Sequence, residues 1–255
     1  MRIFDTHAHY DEEAFDQDRR NLLERIHAAG VEHIVNMGAS LENCRNTLKL
    51  VGEYPFFYGA IGIHPDEVGT LTEEDMKWLG EHLEDDRIVA LGEIGLDYYG
   101  NSENKQEQAY WFRRQIELAK EHHKPIVVHS REATEDTLRM IKETDAKSVG
   151  GVIHCFSGSK EIAAEYVKMG FFIGVGGVVT FKNGRTLKEV VQHIPLESIV
   201  TETDCPYLAP TPFRGQRNDS SYISYVIEEI ATLRGQSAEE IAPVLYENCR
   251  RLYHV

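Results

Sequence analysis

The sequence predicts an α/β fold, a (β/α)8 TIM barrel forming one domain over residues 1–255, on three observations. Eight short apolar segments rich in β-branched and aromatic residues recur along the chain, longer amphipathic segments separate them, and titratable residues gather where the short segments end. An open doubly wound sheet is the competing arrangement. A chain of 255 residues is long enough for one such barrel with a sizeable core.

In chain order, the strand segments are IFDTHAH (3–9), HIVNMG (33–38), FFYGAIGIH (56–64), IVALGEIGLD (88–97), PIVVHSR (125–131), GGVIHCF (150–156), FFIGVGG (171–177) and SIVTETD (198–204). After the first, Leu22, Leu23, Ile26 and Ala29 form the apolar side of a helix that stops at Gly30, a residue that tolerates the left-handed C-terminal conformation. Thr72 with Asp75, and Ser237 with Glu240, have capping-box spacing and mark two further helix starts. After the fourth strand, Ala109, Phe112, Ile116 and Ala119 fall on one helical face. Residues 205–218, CPYLAPTPFRGQRN, hold three of the eight prolines and read as an extended active-site loop ahead of a helical tail.

The 27 Lys and Arg against 42 Asp and Glu give a net charge of −15, which opposes broad, nonspecific coating of duplex DNA. A polyanionic substrate would have to be held locally, by metal ions or a few basic side chains. No apolar run approaches the roughly 18 residues of a membrane span, and the first residues lack a signal-peptide core; a cytoplasmic protein without membrane association is expected. Four widely spaced cysteines with no CxxC predict reduced thiols.

A barrel collects its chemistry at strand C-terminal ends. Alternation along the first strand points Asp5, His7 and His9 to one face. Later strands end near His64, Glu93, His129, His154 and Asp204. Without His64, these make four histidines and two carboxylates: His7, His9, Glu93, His129, His154 and Asp204. Imidazole with carboxylate suits zinc, manganese or iron, and magnesium with more water. Six ligands suit two divalent ions sharing a bridging carboxylate better than one tetrahedral zinc. His64, in GIHPDE, is expected to face substrate, the alternative being packing beneath Pro65. Cys155 and Cys205 each follow a proposed ligand by one residue, so alternation turns them to the helix side. Glu202 is expected to support ligands rather than bind metal. Tyr98 and Tyr99 could stack on a nucleobase or pack against their neighbours.

The segments FDTHAHYD, IGIHPDE, ALGEIGLDYY, IVVHSREA, VIHCFSGS, TETDCPYLAP and RGQRN resemble the TatD family of metal-dependent deoxyribonucleases, among the amidohydrolase-like barrels. The resemblance runs from residue 3 to the region of Asn248. It implies a distorted TIM barrel with a two-metal site: His7, His9 and Asp204 on one ion, His129 and His154 on the other, and Glu93 bridging. Glu93 stands where some related hydrolases use a carbamylated lysine. After Arg217-Asn218 the family pattern has Glu-Pro where this chain has Asp219-Ser220, so the start of the last barrel helix is expected to differ.

The expected activity is hydrolysis of DNA phosphodiester bonds by a two-metal-activated water, with Asp204 as general base and Glu93 as the other catalytic carboxylate. Arg131, Arg214 and Arg217 could grip phosphates or form surface ion pairs. So local a grip suits strand ends or single strands, hence exonucleolytic digestion, with no obligate protein partner. Two other classes remain: a barrel hydrolase of a small ester, amide, lactone or aminoacyl-tRNA ester, and a non-enzymatic binding protein stabilised by its ions. A structural site is closed by protein ligands, whereas six ligands on two ions leave positions open for water and substrate.

Overall fold

Each predicted strand is formed, and a helix follows it. In the computed structural model, which describes residues 1–100 and 104–255, the order is β1 (Ile3–Ala8), α1 (Arg19–Ala28), β2 (Val31–Met37), α2 (Leu41–Glu53), β3 (Phe57–Ile61), α3 (Glu73–Leu83), β4 (Ile88–Asp97), α4 (Lys105–Glu121), β5 (Ile126–Arg131) and α5 (Thr134–Glu143). It continues with β6 (Gly151–Ile153), α6 (Lys160–Lys168), β7 (Phe171–Val175), α7 (Arg185–His193), β8 (Ile199–Thr201), α8 (Ile223–Arg234) and α9 (Ala238–Tyr253). The strands pair in chain order, β1 to β8, the connectivity of the predicted (β/α)8 barrel.

β4 spans the predicted residues 88–97, while β3, β6 and β8 stop earlier than their sequence segments. Local geometry ends them. His64 precedes Pro65, which disfavours regular continuation, and Cys155 (φ +44) and Asp204 (φ +58) take left-handed conformations that no strand accommodates. The chain divides into two compact units, one of Met1–Asn36, Cys155–Val167 and Phe172–Val255, the other of Met37–His154 and Lys168–Phe171.

In the first unit β1 pairs with β2 through Ile3 and Val31, β7 pairs with β8 through Ile173 and Ile199, and Ala8 bridges to Cys205. Ile34, Val200, Ile227, Ile230 and Leu245 are fully or almost fully buried in its core. Asp5 corrects the expectation from alternation: its carboxylate does not join His7 and His9. It is fully buried and accepts hydrogen bonds from Thr203 N (3.0 Å), Thr203 Oγ1, Ser220 Oγ (2.7 Å) and His7 N (3.2 Å). Burial raises its pKa to about 7 against the pull of these donors. Ser220 also donates its backbone N–H to Tyr10 Oη at 2.9 Å. A proline, which the family pattern carries here, could make neither Ser220 bond. Asp219 accordingly caps a short 3-10 turn ahead of α8, accepting from Ser221 N. Ser237 and Glu240 form the expected capping box of α9.

In the second unit β3, β4, β5 and β6 pair in parallel, with Ala60 beside Ala90, Ile94 beside Val128, and Val128 beside Ile153. The capping box of α3 forms as predicted between Thr72 and Asp75. The buried face of α4 is Gln108, Trp111, Phe112, Gln115, Ile116 and Ala119; Ala109 is only half-buried. The two glutamines stand two turns apart and pin strand ends whose backbone would otherwise lack partners. Gln108 accepts from Asp97 N and donates to Asp97 O (2.9 and 2.8 Å), and Gln115 does the same for Ile63 (2.8 and 3.1 Å). Gly95, at φ +148, is required: a Cβ there would lie 1.9 Å from the His129 carbonyl oxygen.

Candidate functional site

The first unit gathers His7, His9 and Asp204. His7, on β1, and His9, just beyond its end, are two residues apart and share a face. Backbone bonds fix the third member beside them: Asp204 N donates to His7 O and His9 N to Cys205 O, both at 2.9 Å. The two Nε2 atoms are 3.1 Å apart and lie 3.6 and 3.4 Å from Asp204 Oδ1. Ligands about 2.1 Å from an ion are separated by about 3.0 Å in octahedral and about 3.4 Å in tetrahedral geometry, so this triangle fits the edge lengths of a coordination shell. Side-chain exposure rises from 1% at His7 through 12% at His9 to 19% at Asp204, so the carboxylate is the member nearest solvent.

A cavity of about 220 Å³ adjoins this cluster, lined by Asp204, Glu202, Cys155, Ser157, Asn183 and Leu208 among others. Cys155 therefore does not turn to the helix side as alternation suggested, because β6 has ended and its φ is positive. Cys205 is fully buried and lines no part of that cavity. Glu202 Oε1 accepts from Cys155 N at 2.6 Å and so shapes the turn after β6. Gly174 makes room for it: a Cβ there would lie 2.4 Å from Glu202 Oε2.

The second unit gathers His64, Glu93 and His129, with His154 also on Glu93. Glu93 Oε1 lies 2.9 Å from His129 Nδ1, 3.4 Å from His154 Nε2 and 3.9 Å from His64 Nε2. His129 is bracketed, because its Nε2 meets Asp97 Oδ2 at 2.9 Å. Burial disfavours the imidazolium, yet the hydrogen bonds to Asp97 and Glu93 outweigh it and raise the pKa to about 10. Asp97 is itself held below the usual carboxylate range: burial opposes this, and His129 and the Tyr99 N–H overcome it. His64 Nδ1 accepts from Asp66 N (3.2 Å), and burial lowers its pKa, so the ring is neutral with its hydrogen on Nε2. His64, expected to face substrate, stands beside Glu93 and His129.

Asp97 is the member that sequence reasoning missed. Its signal was available, since it lies four residues after Glu93 on one strand and shares its face by period-two alternation. A carboxylate behind a ligand histidine fixes the ring's orientation and tautomer. Both clusters fit divalent cations by donor type, with imidazole nitrogens and carboxylates on each.

The basic candidates differ in their engagement. Arg217 is committed to Asp18 through two hydrogen bonds of 2.8 and 2.7 Å, and to Ala14 O. Arg214 lies 4.3 Å over the Phe181 ring, and Arg131 lies 3.7 Å over that of Tyr99.

The family model "TatD related DNase" matches residues 4–254. YabD of Bacillus subtilis, an uncharacterized metal-dependent hydrolase, is 46% identical over 253 residues, covering 99% of each chain. YcfH of Escherichia coli, described in the same words, is 35% identical over 259 residues, covering 100% of this chain and 97% of its own. The crystal structure of YjjV, a TatD homologue from Escherichia coli, superimposes with a TM-score of 0.93 at 33% identity, covering 99% of this chain and 98% of the other.

Proposed function

The chain belongs to the TatD-related DNase family and is a metal-dependent hydrolase, and from that premise we propose that it cleaves DNA phosphodiester bonds from strand ends, with one divalent ion in each ligand cluster. The observation that carries this reading is the pair of clusters: His7, His9 and Asp204 with ligand atoms 3.1 to 3.6 Å apart, and Glu93 with His129 and His154 nitrogens 2.9 and 3.4 Å from one of its oxygens. Bound ions would supply Lewis-acid polarisation of a phosphate oxygen and a lowered pKa for water. Magnesium, manganese and zinc all suit the donor set.

The remaining steps belong to the chain's own side chains. His7, His9 and Asp204 would hold one ion, and Glu93, His129 and His154 the other. Asp204, the most exposed ligand of the first cluster, accepts the proton from attacking water at a carboxylate oxygen. His64 donates from Nε2–H to a substrate oxygen. Arg131 and Arg214, whose guanidinium groups lie over the Tyr99 and Phe181 rings, hold phosphate. Arg217 contributes by anchoring the loop after β8 to Asp18. With a net charge of −15, the chain suits a short local contact at a strand terminus.

The test compares a linear single strand with a closed circle of the same sequence, in magnesium and in manganese, with a carboxylic ester as control. Mononucleotides released from the linear strand alone support the reading. Equal cutting of the circle makes the enzyme endonucleolytic, and turnover of the ester without either DNA overturns the substrate class. Residues 1–255 are proposed to act as one domain, so metal-loaded protein should unfold in a single cooperative transition. Two separated transitions would contradict that.

A further inference from the structure

We propose that Tyr99 and Arg131 form a nucleotide subsite of the second unit, the tyrosine ring taking a base of a single strand and the guanidinium edge taking a phosphate. The proposal rests on the DNA-hydrolysing reading above. Of the adjacent tyrosines, Tyr98 is occupied: its hydroxyl donates to Asp136 at 2.8 Å and Lys105 Nζ lies 4.0 Å over its ring. Tyr99 is 57% exposed, and Arg131 covers one face of its ring at 3.7 Å. A guanidinium stacked by its plane keeps its N–H groups at the edge, where a phosphate can be bound in bidentate fashion.

In a chain of net charge −15, Arg2, Arg19, Arg113, Arg114, Arg139 and Arg217 each hold a carboxylate, whereas Arg131, like Arg45 and Arg214, lies over an aromatic ring and forms no ion pair among the described residues. The exposed Arg131 guanidinium acts on Asp97 through its charge without an ion pair between them among the described residues, so its N–H groups are available to an anion from solution. Its position is tied to the ligands. Arg131 stands two residues after His129 and in register with Asp97. Asp97 accepts from Tyr99 N at 2.8 Å through one oxygen and meets His129 through the other, so one carboxylate sets both the ligand ring and the aromatic platform. Stacking on an aromatic ring is tolerant of base identity, as a sequence-independent nuclease requires.

The experiment measures binding of a fluorescein-labelled, phosphorothioate-protected single strand to metal-loaded protein by anisotropy across a salt series. Removing one phosphate contact in Arg131→Gln should flatten the slope of log affinity against log salt by about 0.7. Tyr99→Ala should weaken binding about fivefold or more, with Tyr99→Phe close to wild type. Tyr110→Ala, at an exposed tyrosine on α4, should bind as wild type does. If wild type binds and cuts DNA while Arg131→Gln keeps the wild-type slope, or Tyr99→Ala binds as Tyr110→Ala does, the subsite is overturned and the activity stands. A wild-type protein that neither binds nor cuts DNA overturns the activity, and the subsite with it.

Discussion

The two ligand clusters use the same kinds of side chain but are held in place by different forces. In the second unit His129 sits between two carboxylates, with Glu93 and Asp97 each 2.9 Å away, so side-chain charge assembles the cluster before any cation arrives. In the first unit the assembling bonds are backbone ones, from Asp204 N to His7 O and from His9 N to Cys205 O, with the Asp5 carboxylate gripping Thr203 and Ser220 behind them. The lesson is that an ion entering the second cluster must displace a proton that already offsets one of its two carboxylate charges, while an ion entering the first meets a scaffold set by the chain path.

The largest effect should come from removing a carboxylate from either cluster. Asp204→Asn and Glu93→Gln should each lower kcat about a thousandfold or more, since a bound ion supplies several kcal/mol of transition-state stabilisation. Circular dichroism should stay that of wild type. Full activity in one of the two variants would mean that its cluster is dispensable, ending the symmetry of the account.

Next in size is the bracket itself. Asp97→Asn should weaken metal binding in the second cluster about 10- to 100-fold, as losses behind ligand histidines do, and leave the first unchanged. Titration of variants that retain one cluster each, His9→Ala and His154→Ala, separates the two affinities. Equal weakening of both would show that Asp97 does not act on the second cluster alone.

A smaller effect concerns protons. With its pKa raised from 6.5 to about 10, His129 in the metal-free protein is charged at pH 8. Ion uptake by the second cluster should therefore release about one proton there, measurable by calorimetry in buffers of different ionisation enthalpy. The same shift stabilises the metal-free fold fully below pH 6.5, and that contribution is lost as pH rises through about 10. Chelated His129→Gln should lack this decline in denaturant titrations across the window.

The smallest effect tests the scaffold of the first cluster. Ser220→Ala removes one hydrogen bond to the buried Asp5 carboxylate and should cost about 1–2 kcal/mol in urea unfolding. An unchanged midpoint would show that Asp5 is held sufficiently by Thr203 and His7.

What was legible in the sequence follows period and punctuation. Alternation and βα rhythm gave the eight strands, Thr72 and Ser237 marked their helices through cap chemistry, and the titratable residues read at strand ends lie in the two candidate clusters. What failed, failed where the period stops. Cys155 and Asp204 leave the strand path at positive φ, so alternation misdirected Cys155 into the wrong layer. Asp5 kept the parity of His7 but was claimed by Thr203 and Ser220, contacts 198 and 215 residues away that no local pattern encodes. Asp97 was legible and overlooked, since only its pairing with His129 separates it from an ordinary strand-end carboxylate. The engagement of Arg217 with Asp18 and of Arg131 with Tyr99 likewise depends on the fold rather than on spacing.

The central claim is that each cluster holds its own ion. Elemental analysis of protein purified without chelator, for wild type, His9→Ala and His154→Ala, tests it most directly. The account predicts two divalent ions per chain in wild type and one in each variant; one ion in wild type, or two retained in either variant, would contradict it.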